Sequence, residues 1–388
     1  MELSGDQKKA LSILTDWTNA SIKRNQFITL GGYAGTGKTT LIAQLRAEIK
    51  KSKPNTKVAF ASFTGKATRV MKNKLEESKT VEKNDSISTI HSLIYSPIVD
   101  NKEVIIGWKR KDELEGAGLI IIDEASMVDE IIWQDLLNYN VPIIAVGDHG
   151  QLPPIRGKFN LMENPEIKLE EIHRQARDNP IIDVSVMARE NGSIPIQRYG
   201  AGVRKLSRQE STTGEEVEEI LRNYDKEMLI LCGYNNTRTK LNQYIRKSKE
   251  IESAEPEPGD RVICLRNNHK KGIYNGMLGT IYWIDKKNDD WYEAQIEMDG
   301  EKEMYEGLIS RSQFGNKETM NFTEKRWMIN KGDLFDFGYA LTVHKAQGSQ
   351  AQKVLLFEER FSQMSDDEWR RWLYTGVTRA EEELTIIG

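Results

Sequence analysis

Phe27-Ile28-Thr29-Leu30-Gly31-Gly32-Tyr33-Ala34-Gly35-Thr36-Gly37-Lys38-Thr39-Thr40 decides how this chain is built. A short apolar run enters a glycine-rich turn, and a helical pattern starts at Lys38. From Gly32 to Thr39 the turn fits G-x-x-x-x-G-K-[ST] at every fixed position. Glycines at 32, 35 and 37 allow successive backbone N–H groups to face inward around phosphates, and the following helix adds the positive end of its dipole. Lys38 is placed to reach the β- and γ-phosphates and the Thr39 hydroxyl to hold Mg²⁺, with Ala34, Gly35, Thr36, Gly37 and Thr40 completing the cradle. A chance glycine-rich turn does not explain strand, loop and helix in this order. ATP with Mg²⁺ is the expected ligand.

Working outward, 388 residues exceed one ordinary core, so two core domains with insertions are expected. The net charge of -4 neither favours nor excludes a nucleic-acid partner, because binding depends on where charge is placed. Two cysteines, Cys232 and Cys264, lie in apolar runs without metal-ligand spacing and read as buried free thiols. No apolar stretch reaches bilayer length and the first residues carry no signal-peptide pattern, which leads us to expect a cytoplasmic protein.

The first half alternates apolar runs at 27–30, 58–61, 119–122 and 143–146 with helical patterns, the signature of a parallel sheet with crossover helices. In such a sheet, ligands gather at the carboxyl ends of the strands. A second strand-and-helix region starts near 228–233 and resumes at 337–343 and 354–357. Between them, residues 253–330 lose the helical period, and short runs at 261–265, 279–284 and 291–298 are separated by turn residues, Asp299-Gly300 among them. The expected architecture is α/β, two parallel-sheet domains in tandem. Domain 1A takes 1–93 and 112–170, with a hairpin insertion 1B at 94–111; domain 2A takes 171–252 and 331–388, with a β insertion 2B at 253–330.

Asp123-Glu124-Ala125-Ser126 after the 119–122 run places Asp123 to hold Mg²⁺ and Glu124 to polarise the attacking water. Gly147-Asp148-His149-Gly150-Gln151-Leu152-Pro153-Pro154 follows the next run, and Gln151 is placed to sense the γ-phosphate. With this G-D-x-x-Q-L-P-P segment the chain resembles superfamily 1B helicases, the RecD-like branch. Further segments match that family in order: 60–67 (motif Ia), 88–92 (Ib), 169–175 (IV), 338–350 (V) and 374–380 (VI). The stretches 90–97 and 179–184 are similar to the small phage helicases of the Dda type.

The resemblance implies two RecA-like domains with ATP between them, a pin in 1B and an SH3-like barrel in 2B. It implies that Arg174 and Arg379 are arginine fingers, and that Gly348 in motif V lies at the nucleotide. A Gln at position 7 reads adenine in the family, and Ser4-x-x-Gln7 is equally a capping box. His173 falls where relatives stack an aromatic on the base; a partly buried structural histidine explains it as well.

For single-stranded DNA the resemblance selects Phe63, Thr64 and Lys66, His91 and Pro97, and Thr342 and His344. Asn236, Thr237 and Arg238 are expected to approach phosphates as a helix N-terminus, although Asn and Thr there also read as caps. Trp108 is the candidate wedge of the pin, or else packs back on the first domain. The implied activity is ATP-dependent 5′-to-3′ translocation with duplex unwinding, acting as a monomer on single strands and duplex junctions, with single-strand-binding protein or replisome components as candidate partners. Alternatives are a translocase that displaces bound proteins and a RecD-like subunit of a recombination complex.

Overall fold

The structure is a computed structural model that describes residues 3–20, 25–99, 105–154, 159–172, 179–268, 271, 273–301, 303–317, 320 and 331–388. The chain divides into two compact units, Met1–Val99 with Gly107–Ile182, and Asp100–Ile106 with Asp183–Gly388.

The first unit is built on a six-stranded sheet. Its strands are β1 (Phe27–Gly32), β2 (Val58–Ser62), β3 (Ser86–Thr89), β6 (Leu119–Asp123), β7 (Ile143–Gly147) and β8 (Ile167–Leu169), in the order β3-β2-β6-β7-β1-β8. All neighbours run parallel. The helices of this unit are α1 (Gly5–Asn19), α2 (Lys38–Ser52), α3 (Gly65–Glu77), α4 (Ile90–Ile94) and α5 (Glu130–Leu137). Alternate residues along a strand point to opposite faces. Val58, Phe60, Leu119, Ile121, Ile144 and Val146 therefore meet Leu14, Leu41, Leu45 and Leu75 of α1, α2 and α3. Ala59, Ala61, Ile120, Ile122, Ile143 and Ala145 face Leu93, Trp133 and Leu136 of α4 and α5. Each fully buried Leu or Ile contributes about 1.5–3 kcal/mol, so these two layers hold the strand ends that carry the site. The hairpin strands β4 (Tyr95–Val99) and β5 (Ile105–Arg110) pair with each other alone.

The second unit carries another sheet, ordered β17-β11-β18-β19-β10-β9. Its strands are β9 (Arg198–Gly200), β10 (Val203–Leu206), β11 (Met228–Cys232), β17 (Ala340–Thr342), β18 (Ala351–Phe357) and β19 (Ala380–Ile387), and its helices α6 (Pro180–Asn191), α7 (Ser211–Arg222), α8 (Asn235–Ser248) and α9 (Asp366–Val377). This sheet begins well before residue 228, which corrects the expected start. The short β10 escapes notice because Val203 and buried Lys205 alternate with Arg204.

The interrupting segment forms a five-stranded antiparallel sheet, β15-β14-β13-β12-β16, from β12 (Arg261–Cys264), β13 (Leu278–Lys286), β14 (Trp291–Met298), β15 (Tyr305–Ser310) and β16 (Phe335–Phe337). The run 337–343 is therefore not one strand. β16 pairs with β12, β17 pairs with β11, and Gly338 lies at the crossing. A Cβ there would come 2.7 Å from the Val262 carbonyl carbon, so only glycine lets the two backbones approach.

Two buried arginines of α8 tie this β module to the mainly parallel sheet of the second unit, in which only β9 and β10 pair antiparallel among the described strands. Arg238 Nη1 donates to Asp336 Oδ2 at 2.7 Å and Nη2 to the Asn316 carbonyl at 2.8 Å. Two turns later, Arg246 pairs with Asp260 at 2.8 and 3.0 Å, donates to the Ser253 and Glu255 carbonyls, and lies over the Phe337 ring at 4.3 Å.

Candidate nucleotide site

The glycine-rich turn leads from β1 into α2. Gly35 and Gly37 adopt φ of 79° and 73°, left-handed values that favour glycine. Thr36 is buried, its hydroxyl donating to the Tyr33 carbonyl at 2.8 Å, and a Cβ on Gly32 would fall 2.7 Å from that hydroxyl. Lys38 Nζ donates to the Gly32 and Tyr33 carbonyls at 2.7 and 3.1 Å, holding the ammonium over the turn. Thr39 and Thr40 lie half-buried in the first turn of α2.

Gln7 holds this turn from behind. The capping box with Ser4 is present, and the fully buried Gln7 amide nitrogen donates to the Thr36 carbonyl at 3.0 Å. One side chain thus caps α1 and braces the loop.

Asp123 ends β6, and its Oδ1 accepts the Glu124 N–H at 2.9 Å. Burial pushes the Asp123 carboxyl above its ordinary value, while Lys38 and the Glu124 N–H pull it back. Glu124 is a non-glycine residue at φ 55° and ψ 38°, a costly conformation of the kind that gathers at functional sites. The β7 end carries Asp148, whose carboxylate accepts from Gly150 N–H at 3.0 Å and Gln151 Nε2 at 3.2 Å. The Tyr33 and His149 rings lie 4.1 Å apart, which brings the glycine-rich turn beside the Gln151 turn.

The carboxyl edge also holds two buried hydroxyls that sequence reasoning passed over. Ser62 Oγ and Ser126 Oγ have no hydrogen-bond partner among the described residues. A serine closing an apolar run is the only hint the sequence offers.

Other candidates of the first unit take specific structural duties. Thr64 Oγ1 caps α3 by accepting the Ala67 N–H at 3.2 Å, and Phe63 packs half-buried against the apolar layer that faces α4 and α5. Pro97 is exposed on β4. His91 lies 4.6 Å from both the Tyr95 and Trp108 rings. Trp108 packs edge-on against the His91 ring near the base of the hairpin, the arrangement expected of the second of its two readings, in which it packs back on the first domain. The hairpin base is pinned by Tyr139, whose hydroxyl hydrogen-bonds the Ile94 and Lys111 carbonyls at 2.9 Å each. The Lys66 side chain and all of His173 and Arg174 lie outside the described residues.

In the second unit, motifs V and VI meet. Arg379 is buried, with Nη1 donating to the Ser349 carbonyl at 3.1 Å and Nε to the Thr375 carbonyl at 3.0 Å, while Gly348 takes φ 72°. Thr342 Oγ1 accepts the Lys345 N–H at 3.4 Å; burial lowers the His344 imidazole below its ordinary value and Lys345 to about 8.

Arg238 requires a correction. It is 1% exposed and committed to Asp336, so it does not present its charge to a phosphate. Asn236 is exposed, but the Gly233 and Tyr234 N–H groups and the Thr237 hydroxyl all donate to the Glu359 carboxylate, at 2.8, 3.0 and 2.7 Å. An internal anion thus engages these donors, while the Asn236 side chain faces outward.

Among the described residues no group of His, Cys, Asp and Glu forms a metal cluster, and no helix is long and apolar enough to cross a membrane. Cys232 and Cys264 are buried and free, with burial raising both thiols, Cys264 to about 12.

Residues 18–157 match the family described as AAA domain, and residues 337–387 that described as UvrD-like helicase C-terminal domain. The ATP-dependent RecD2 DNA helicase of Deinococcus radiodurans is 28% identical over 94% of this chain, which spans about half (47%) of that relative's length. The ATP-dependent DNA helicase dda of Enterobacteria phage T4 is 29% identical, covering 100% of this chain and 99% of that protein. Among solved structures, Pif1 helicase from Bacteroides in complex with ADP-AlF3 and ssDNA aligns over 100% of this chain and 92% of its own, with a TM-score of 0.56 and 19% identity, a likeness of fold. Together with the glycine-rich turn, the Asp123-Glu124 acids and the Gln151 turn on one strand edge, these matches lead to one conclusion: the chain is similar to ATP-dependent DNA helicases, a likeness that supports the superfamily 1B reading of its sequence.

Proposed function

We propose that this chain is an ATP-dependent DNA helicase that moves 5′ to 3′ along single-stranded DNA and separates duplex ahead of it. The observation that carries this is the convergence of Lys38, Asp123, Glu124 and Gln151 at the carboxyl edge of one parallel sheet.

In this reading, the backbone N–H groups from Gly32 to Gly37 and the Lys38 ammonium bind the phosphates. Thr39 and Asp123 would hold Mg²⁺, which would supply charge neutralisation for the phosphate oxygens. The residues suit a nucleotide with its metal: the turn is too tight for a Cβ on Gly32, and Ser62, whose buried hydroxyl is unpartnered among the described residues, is the register partner of Asp123. Glu124 orients the attacking water, Gln151 senses the γ-phosphate, and Gln7, His173 and Gly348 complete nucleotide recognition. Arg174 and Arg379 stabilise charge on the transferred phosphoryl group. Phe63, Thr64, Lys66, His91, Pro97, Asn236, Thr237, Thr342 and His344 line the strand's path, and the antiparallel module is an SH3-like 2B insertion. Relatives named as ATP-dependent DNA helicases support the activity.

The test uses duplexes carrying either a 5′ or a 3′ single-stranded tail. Unwinding from the 5′ tail only is expected. Unwinding from the 3′ tail alone would overturn the polarity, and ATP turnover without strand separation on either substrate would favour a translocase.

A further inference from the structure

We propose that Ser62 is a further positioning residue of the nucleotide site, its hydroxyl holding a water of the hydrated Mg²⁺ beside Asp123. The inference rests on the nucleotide reading given above. Ser62 is the last residue of β2, at the carboxyl end, and its register partner on β6 is Asp123. Adjacent strands lie about 4.8 Å apart and paired residues share a face. Ser62 and Asp123 continue the alternation of Val58, Phe60, Leu119 and Ile121, the face covered by α2, which begins with Lys38 and Thr39.

The hydroxyl is fully buried and without a hydrogen-bond partner among the described residues. Its neighbours are different. Thr36 donates to Tyr33, Thr64 caps α3, Thr68 donates to the Thr64 carbonyl at 2.8 Å, and Thr89 meets Ser92 Oγ at 2.8 Å. Local structure therefore absorbs those hydroxyls and leaves Ser62 over. Ser126, the other unpartnered hydroxyl at this edge, belongs to the turn whose N–H would lie 3.0 Å from a Cβ on Gly147, on the opposite face of the sheet from α2, while the unpartnered Thr15 hydroxyl lies on α1, away from the strand ends. Mg²⁺ keeps several waters when it binds a carboxylate and phosphates, and those waters are strong donors. A buried hydroxyl next to the carboxylate is a fitting acceptor for one of them, and such outer contacts tune metal affinity.

The test compares wild type with Ser62→Ala, using a fluorescent, slowly hydrolysed ATP analogue bound in EDTA and then titrated with Mg²⁺. The Mg²⁺ concentration for half-maximal response is expected to rise about 10-fold in the variant. Analogue affinity in EDTA is expected to stay unchanged, and the melting temperature not to fall, because the substitution removes only an unpartnered hydroxyl. An equal Mg²⁺ midpoint in both proteins would overturn the role of Ser62 and leave the nucleotide site standing. If wild type fails to bind the analogue at any Mg²⁺ concentration, the nucleotide reading fails first and Ser62 with it.

Discussion

The carboxyl edges of the all-parallel first sheet and the mainly parallel second sheet use their polar groups in opposite ways. In the first unit, β2 ends in an unpartnered hydroxyl, β6 in an acid whose ionisation burial opposes, and Glu124 is held in a left-handed conformation. In the second unit, β11 runs into Gly233 and Tyr234, whose N–H groups are taken by Glu359, while Arg238 is taken by Asp336 and Arg379 donates to the Ser349 and Thr375 carbonyls. The first edge retains strain and unmet hydrogen-bonding capacity that a charged ligand can relieve. Much of the second is internally satisfied. Polar residues in a motif-like segment thus do not by themselves mark a ligand contact; their existing partners decide.

The contrast can be broken most directly at Lys38. Lys38→Ala is expected to lower ATP turnover by about 10²-fold or more with an unchanged far-UV circular dichroism spectrum, since the ammonium acts on transition-state charge and its bonds to the Gly32 and Tyr33 carbonyls touch the turn rather than the core. Near-normal turnover would remove the first edge from catalysis.

Arg238 sharpens the other side. Arg238→Ala strands a buried carboxylate and is expected to cost about 3–5 kcal/mol in urea unfolding, whereas Arg238→Met combined with Asp336→Asn, which keeps an acceptor for the Gly315 and Phe337 N–H groups, is expected to recover part of that loss. Reduced oligo(dT) affinity at unchanged stability would instead return Arg238 to the DNA path.

The smallest effect concerns Lys345. Its folded-state amine is lowered to about 8 from 10.5, chiefly by burial, so the unfolded chain binds more protons between those values. Its contribution to stability therefore rises as pH climbs through that window. Lys345→Met is expected to flatten this part of the profile, measured as melting temperature against pH; parallel wild-type and variant profiles would contradict the shift.

Legibility in the sequence followed the range of the interactions. The glycine-rich turn and Asp123-Glu124 could be read because their chemistry depends on neighbours a few residues away. Arg238 could not, since Asp336 lies 98 residues further on and nothing near Arg238 signals an ion pair. Trp108 reads equally as a wedge or as a ring packed back on the first domain, because its contact with His91, on the helix before the hairpin, lies beyond the reach of local pattern. The 337–343 run has the apolar texture of one strand, and only the pairing of β16 with β12 and β17 with β11 reveals two.

That division at Gly338 has a mechanical consequence. The antiparallel module returns to the parallel sheet through the single dipeptide Gly338-Tyr339, with β16 and β17 abutting and no slack loop between them. Tension applied to the module would pass along a taut backbone to Thr342 and His344, with little compliance to dissipate it.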